Sequence, residues 1–244
     1  MSADRSDAIG RTIQLFLVDG NPTGLIIASI HGWTGSVLVA SQSTFNRLRA
    51  RPETDRTGIY ILFGPDPEDG LSMRAYIGEA DCVRDRINQS AESRAFWETA
   101  VVVTTSDEAL TKGHVRYLEA RLIEVAWDAG RVLLDNWQAP SADKKRLSEA
   151  DRANMEAFLA NLRVILPVVG VDLLKPRPKA VEPGAGTGSA STATRFEIRH
   201  KSDVRATGVE EEGEFVVLAG SEALKDAGYA GSNSYGDLKK ELIA

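Results

Sequence analysis

Residues 57–86 constrain the chain more than any other stretch. Two short runs with β character, Gly58-Ile59-Tyr60-Ile61-Leu62-Phe63 and Ala75-Tyr76-Ile77-Gly78, flank the segment Gly64-Pro65-Asp66-Pro67-Glu68-Asp69-Gly70. Glycine, proline and aspartate so concentrated between two apolar runs mark a reversal of direction, and the spacing predicts a β-hairpin. Side chains on a strand alternate faces, so Tyr60 shares a side with Leu62, and Tyr76 shares a side with Gly78. Pairing the strands can bring the two tyrosine hydroxyls together across the ladder. Two β-formers filling a hairpin would produce the same pattern, so the tyrosines need partners elsewhere in the chain before they mean chemistry.

One partner follows at once. Glu79-Ala80-Asp81 reads as a helix start, with Asp81 as N-cap and Val83 and Ile87 facing inward. Arg86 then flanks the buried face close to a helix N-terminus. Free N–H groups already attract anions there, and a guanidinium adds a planar fork for two phosphate oxygens. The second partner is Glu119. A helix over about 111–129, closed by Gly130, puts Val115, Leu118, Leu122, Val125 and Ala126 on one apolar stripe at about 100° per residue. Glu119 falls inside that stripe. A carboxylate there is costly unless compensated, either by an ion pair with Arg86 or Arg116 or by a metal ion. His114 projects about 140° from Glu119 on the same wheel and reads as a supporting histidine. Lys112 is a candidate phosphate contact.

In this order the positions resemble the GIY-YIG nuclease family. Gly58-Ile59-Tyr60 and Tyr76-Ile77-Gly78 stand as its two motifs, and Arg86 lies eight residues after Gly78, as its arginine does. Glu119, followed by Leu122-Ile123, resembles the metal-binding glutamate, and Asn136 resembles an asparagine that ties a strand end to the site. The likeness spans residues 57–140. It departs at Ser90, where many relatives carry histidine or tyrosine. The resemblance implies metal-dependent phosphodiester hydrolysis on DNA, with RNA as another target. Mg²⁺ (Mn²⁺ as substitute) would sit on Glu119, Tyr60 would activate water with Tyr76 orienting it, and Arg86 would stabilise transition-state charge. Either tyrosine fits the base, Tyr60 being preferred. A second reading is a GIY-YIG-fold module that binds DNA or acts as a scaffold without catalysis.

The rest of the chain sets the architecture. Alternating runs around residues 13–17, 25–28 and 37–40, then a short helix over Ser41 to Arg51, predict a β-rich accessory unit over 1–56; Trp33 and His31 read there as structural. The continuous β-branched run Val101 to Thr105 is a buried strand, residues 92–97 read as a helical turn, and Arg131 to Asn136 as a closing strand. Met155, Phe158, Leu159, Leu162 and Leu166 mark a packing helix within 141–175. Residues 176–195, rich in Pro, Gly, Ser, Thr and Ala, form a flexible linker, and 196–244 a small β-rich domain, resembling one often appended to such nucleases, with a short helix near Leu242 and a surface for self-association. The fold class is α/β (α+β), a small sheet flanked by helices.

Composition bounds function. Cys82 is the only cysteine, which excludes intrachain disulfides, and no stretch approaches the roughly 20 apolar residues of a membrane helix. No signal peptide is evident, so a cytoplasmic protein is expected. Net charge is −6, and residues 57–140 carry 8 Lys/Arg against 14 Asp/Glu. A local basic groove, or tight selectivity, is therefore expected in place of bulk attraction to phosphate.

Overall fold

A computed structural model describes residues 10–68, 72–136, 147–176, 195–199, 205–211, 214–218 and 220–222. The chain divides into two compact units, Met1–Pro176 and Arg177–Ala244.

The first unit is built on a mixed seven-stranded sheet. Its strands are β1 (Ile13–Leu17), β2 (Ile26–Ile30), β3 (Gly35–Ser41), β4 (Gly58–Pro65), β5 (Met73–Ala80), β6 (Thr99–Thr105) and β7 (Val132–Leu134), in the order β1-β2-β3-β6-β4-β5-β7. Every pair is antiparallel except β5 with β7. The β-branched β6 lies at the centre with both faces covered, as its unbroken apolar run requires.

Strands β1 to β3 are not a layer of their own. Strand β3 pairs with β6 over seven positions, from Gly35↔Thr105 to Ser41↔Thr99, so the region expected to be an accessory unit continues the hairpin's sheet.

Among the described residues four α-helices cover the two faces: α1 (Phe45–Arg49), α2 (Val83–Glu92), α3 (Lys112–Ala129) and α4 (Glu149–Val168). Side-chain alternation sorts the strands between two cores. Tyr60, Leu62, Leu38 and Val102 pack with Phe45, Leu48, Val83 and Ile87 of α1 and α2. Ile59, Ile61, Ile77, Val101 and Val103 pack with Val115, Leu118 and Leu122 of α3 and with Phe158, Leu159 and Leu162 of α4. Both long helices carry the caps their ends need: Thr111 accepts from the His114 N–H, Gly130 turns the chain at φ +62°, and Ser148 accepts from the Asp151 N–H.

Three local expectations change. Strand β5 runs on through Glu79 and Ala80, which pair with Ile59 and Gly58, so α2 begins at Val83 after Cys82 and Asp81 caps nothing. Residues 93–97 bend instead of forming a helical turn, because the Trp97 indole donates to the Ala91 carbonyl (3.1 Å) and its ring packs on Phe45. The short helix expected from Ser41 opens as a 3-10 turn, Gln42–Thr44, before α1.

The second unit contains a three-stranded antiparallel sheet, β8 (Arg195–Arg199), β9 (Arg205–Glu211) and β10 (Glu214–Val217), in the order β10-β9-β8. Phe196 and Ile198 are exposed on it. The expected linker core (177–194) and terminal helix fall outside the described residues. Among the described residues no helix is long and apolar enough to cross a membrane.

Candidate functional site

The hairpin's register explains both motif glycines. Tyr60 lies opposite Gly78, and Leu62 opposite Tyr76. A Cβ on Gly78 would stand 2.4 Å from the Tyr60 ring, so only glycine lets that ring lie across β5. A Cβ on Gly58 would stand 2.4 Å from the Val103 carbonyl, where β6 approaches. Tyr60 is 1% exposed, and its ring centroid is 6.1 Å from that of Tyr76. The Tyr60 hydroxyl shares a 2.8 Å hydrogen bond with Ser90 Oγ on the last turn of α2. Burial outweighs this bond and pushes the phenol up to about 12.

Tyr76 is more open and held from outside. The Arg94 guanidinium lies 3.4 Å over its ring, a cation–π contact. Arg94 is fixed by Asp135 (2.8 Å), Asp135 also faces Arg74 (3.5 Å), and Arg74 is clamped by the buried Asp66 (2.7 Å). Next along the chain, Asn136 closes the free edge of β5. Its Oδ1 accepts from the Ile77 N–H (3.0 Å) and its Nδ2 donates to the Ile77 carbonyl (2.8 Å), replacing the strand that β7 no longer supplies there.

At this edge, groups from opposite faces of the sheet meet. Arg86 comes from the first turn of α2. It is exposed, donates to Gln89 (3.2 Å), and has no carboxylate within ion-pair distance among the described residues. Its positive charge is felt by both Tyr60 and Glu119, as the smallest of the influences on each. Glu119 comes from the second turn of α3, half-buried. No ion pair or hydrogen bond reaches its carboxylate among the described residues, so neither arginine partner considered for it is engaged. Burial, then the nearby Glu79 carboxylate, raise its carboxyl to about 7; Lys112, Arg116 and Arg86 offset this only in part.

Glu79 follows the second motif glycine and points to the α3 side, as does Ile77. It binds Lys112 (2.7 Å) and faces Arg116 (3.7 Å), while Lys112 also meets Asp81 (3.1 Å). Lys112, considered as a phosphate contact, is thus engaged by two carboxylates. His114 stays at the start of α3, where its Nδ1 accepts from the Thr111 N–H (3.2 Å) and its Nε2 stands 3.8 Å from Asp151.

Among the described residues no group of three or more His, Cys, Asp or Glu side chains converges as a metal cage. Mg²⁺ typically uses one or two carboxylates and keeps several waters. A solvent-touching carboxylate with no cation partner, beside a second carboxylate, suits that mode; Glu119 is such a group and Glu79 its neighbour.

Tyr60, Tyr76, Arg86, Glu119 and Asn136 therefore gather at one sheet edge. Ser90, Arg94 and Glu79 complete the constellation. The sequence marks Ser90 as the place where the resemblance departs and Glu79 by its even spacing from Ile77 along one strand, while Arg94 carries no such signal. Comparison with family models, curated proteins and solved structures gave no match.

Proposed function

We propose that this chain is a divalent-metal-dependent phosphodiesterase acting on DNA, with its site at the free edge of β5. The observation that carries the reading is the unpaired Arg86–Glu119 couple. Among the described residues, a guanidinium without a carboxylate and a carboxylate without a cation partner stand near enough to feel each other, beside two tyrosine rings 6.1 Å apart. A closed ion pair would be structural; two uncommitted opposite charges leave room for a phosphate on one and a cation on the other.

In this reading Arg86 offers two N–H donors to phosphate oxygens and holds charge developing there. Glu119 would hold Mg²⁺, which when bound polarises the phosphate and stabilises the departing oxygen. Tyr76, kept in place by Arg94, orients the phosphate or the attacking water. Tyr60 takes the proton from that water. With its hydroxyl at about 12, forming the phenolate at pH 7 costs roughly 7 kcal/mol unaided. Tyr60 thus acts as a base only once cation and phosphate are in place, and Ser90 is the partner that keeps its hydroxyl aimed meanwhile.

The test is nicking of supercoiled plasmid, and cleavage of branched and single-stranded DNA, with Mg²⁺ and with Mn²⁺. Wild type should cleave, and Glu119→Ala and Arg86→Ala should each lower the rate by about 100-fold or more, the range for removing a preorganised charge. Cleavage that persists in Glu119→Ala removes the metal assignment. No cleavage of any substrate, with binding retained, transfers the fold to the second reading, a non-catalytic DNA-binding module, which the burial of Tyr60 and the engagement of Lys112 favour.

A further inference from the structure

A second feature lies apart from the tyrosines. Where β3 begins and β6 ends, the loop after β6 and the flank of α4 line an open cavity of about 340 Å³. That is near the small end of ligand pockets, which run to about 300–1,000 Å³. One wall is aromatic. The Trp33 ring lies over Gly35, where a Cβ would stand 2.0 Å from it, and tilts against Phe158 at 4.8 Å. Met155 and Leu110 extend the apolar surface. The other wall is polar, with Asp107, Asn154 and His114. Asp107 is set by a loop whose next residue, Glu108, has φ +56°, a conformation a non-glycine residue adopts only when the surroundings impose it.

Thr105 lies in the same lining, 3% exposed, and its Oγ1 has no hydrogen-bond partner of proper geometry, although the Asp107 carboxylate is close enough to feel it. A buried hydroxyl left unmatched costs about 1–3 kcal/mol, and Thr105 lines the cavity, so a ligand that displaces the present cover of its Oγ1 can match it. Among the described lining residues none is lysine or arginine.

We propose that this cavity binds a neutral, planar, N–H-bearing heterocycle of the nucleobase kind. The flat face stacks on Trp33, N–H donors reach the acceptor-only Asp107 carboxylate, and a ring or carbonyl acceptor takes the Thr105 hydroxyl. Arg56 and Arg11 are held by the Thr105 carbonyl and by Asn161 Oδ1, and with no lysine or arginine in the described lining the Asp107 charge disfavours phosphate, so the sugar and anything beyond it point outward. This inference stands without the nuclease reading, since none of Tyr60, Tyr76, Arg86 and Glu119 lines the cavity.

The test is titration of the full chain, without divalent cation, with adenosine, guanosine, cytidine and thymidine, with their 5′-monophosphates, and with a single-stranded oligonucleotide, followed by calorimetry and saturation-transfer NMR. At least one nucleoside should bind, and Asp107→Asn should weaken it about 10-fold, the loss of a hydrogen bond to a charged group. Thr105→Val, close in shape, should weaken it too while leaving the fold intact by thermal melting. If the oligonucleotide displaces the nucleoside and loses affinity in the same variants, the base arrives on a strand; if it does not, the ligand is a free nucleoside. Failure of every nucleoside and of the strand to bind at about 10 mM, far weaker than a usable site, overturns the proposal. So does binding that Asp107→Asn and Thr105→Val leave unchanged.

Discussion

Replacing Glu119 by glutamine separates a strained functional carboxylate from a comfortable structural one. The Glu119 carboxyl titrates near 4.5 in an unfolded chain and at about 7 in the folded one, raised first by burial and then by Glu79. The folded protein therefore holds the extra proton between those values, and stability falls as pH rises through that window. Above pH 7 the carboxylate is ionised in both states and the full penalty is felt. A displacement of that size corresponds to at most about 3 kcal/mol. Because the group keeps contact with water, screening reduces it to about 1–2 kcal/mol. Glutamine has nearly the same shape and no charge, so Glu119→Gln should stabilise the protein by about 1–2 kcal/mol at pH 8, a melting shift of roughly 3–6 °C for a unit of this size. At pH 4.5 the gain should shrink to a few tenths of a kcal/mol. Urea denaturation at both pH values measures it. A divalent cation that binds the wild-type carboxylate should recover about 1.4 kcal/mol at ten times its Kd and do nothing for the glutamine variant. Equal stability of the two proteins at pH 8, or an advantage that does not shrink at pH 4.5, would show that the carboxylate is under no electrostatic stress and would refute the reasoning.

Tyr60→Phe and Ser90→Ala each break the buried 2.8 Å bond and strand its partner, so each should cost about 1–2 kcal/mol, while the double variant costs less than the sum by about 1 kcal/mol in a denaturation cycle. Asn136→Ala should cost about 2 kcal/mol, since it frees two main-chain groups of Ile77, and should speed hydrogen exchange of the Ile77 amide more than that of Ile61 in the sheet centre.

What could be read in advance is what local chemistry determines. The hairpin was legible because its turn residues and alternation are contained in about 25 positions, and helix α3 because its apolar stripe and Gly130 stop agree. The misreadings are long-range. Nothing near Glu79 says that β5 continues, because the reason is pairing with Ile59 twenty residues earlier. Nothing between residues 26 and 41 says that β3 joins β6, which lies about sixty residues on. Ser90 stands in the sequence only as a departure from the family pattern, because what makes it the partner of Tyr60 lies thirty residues upstream. For the same reason the five resemblance-based positions could be ordered along the chain, while Arg94 could not be foreseen over the Tyr76 ring.

The charge balance can now be placed on particular side chains. The acidity of residues 57–140 at first argues against a polyanion as ligand. Around the site, however, the acids are paired off: Asp135 holds Arg94, Asp66 holds Arg74, and Glu79 holds Lys112. This spends the local cations as well and, among the described residues, leaves Arg86 exposed without a carboxylate. A surface so neutralised cannot gather nucleic acid by field strength, because the counterion-release contribution grows with the number of phosphates it neutralises. In the proposed function, recognition at this edge rests on fit, meaning one guanidinium fork, a Tyr60 ring seated on Gly78, a Tyr76 ring held by Arg94, and a carboxylate kept above its usual range by burial and by Glu79. The same arrangement explains why that carboxylate is tolerated: a buried Glu119 already matched by Lys112 would be more stable and would have no affinity left for a metal. Glu79 takes the lysine, and Glu119 is left in need of a cation.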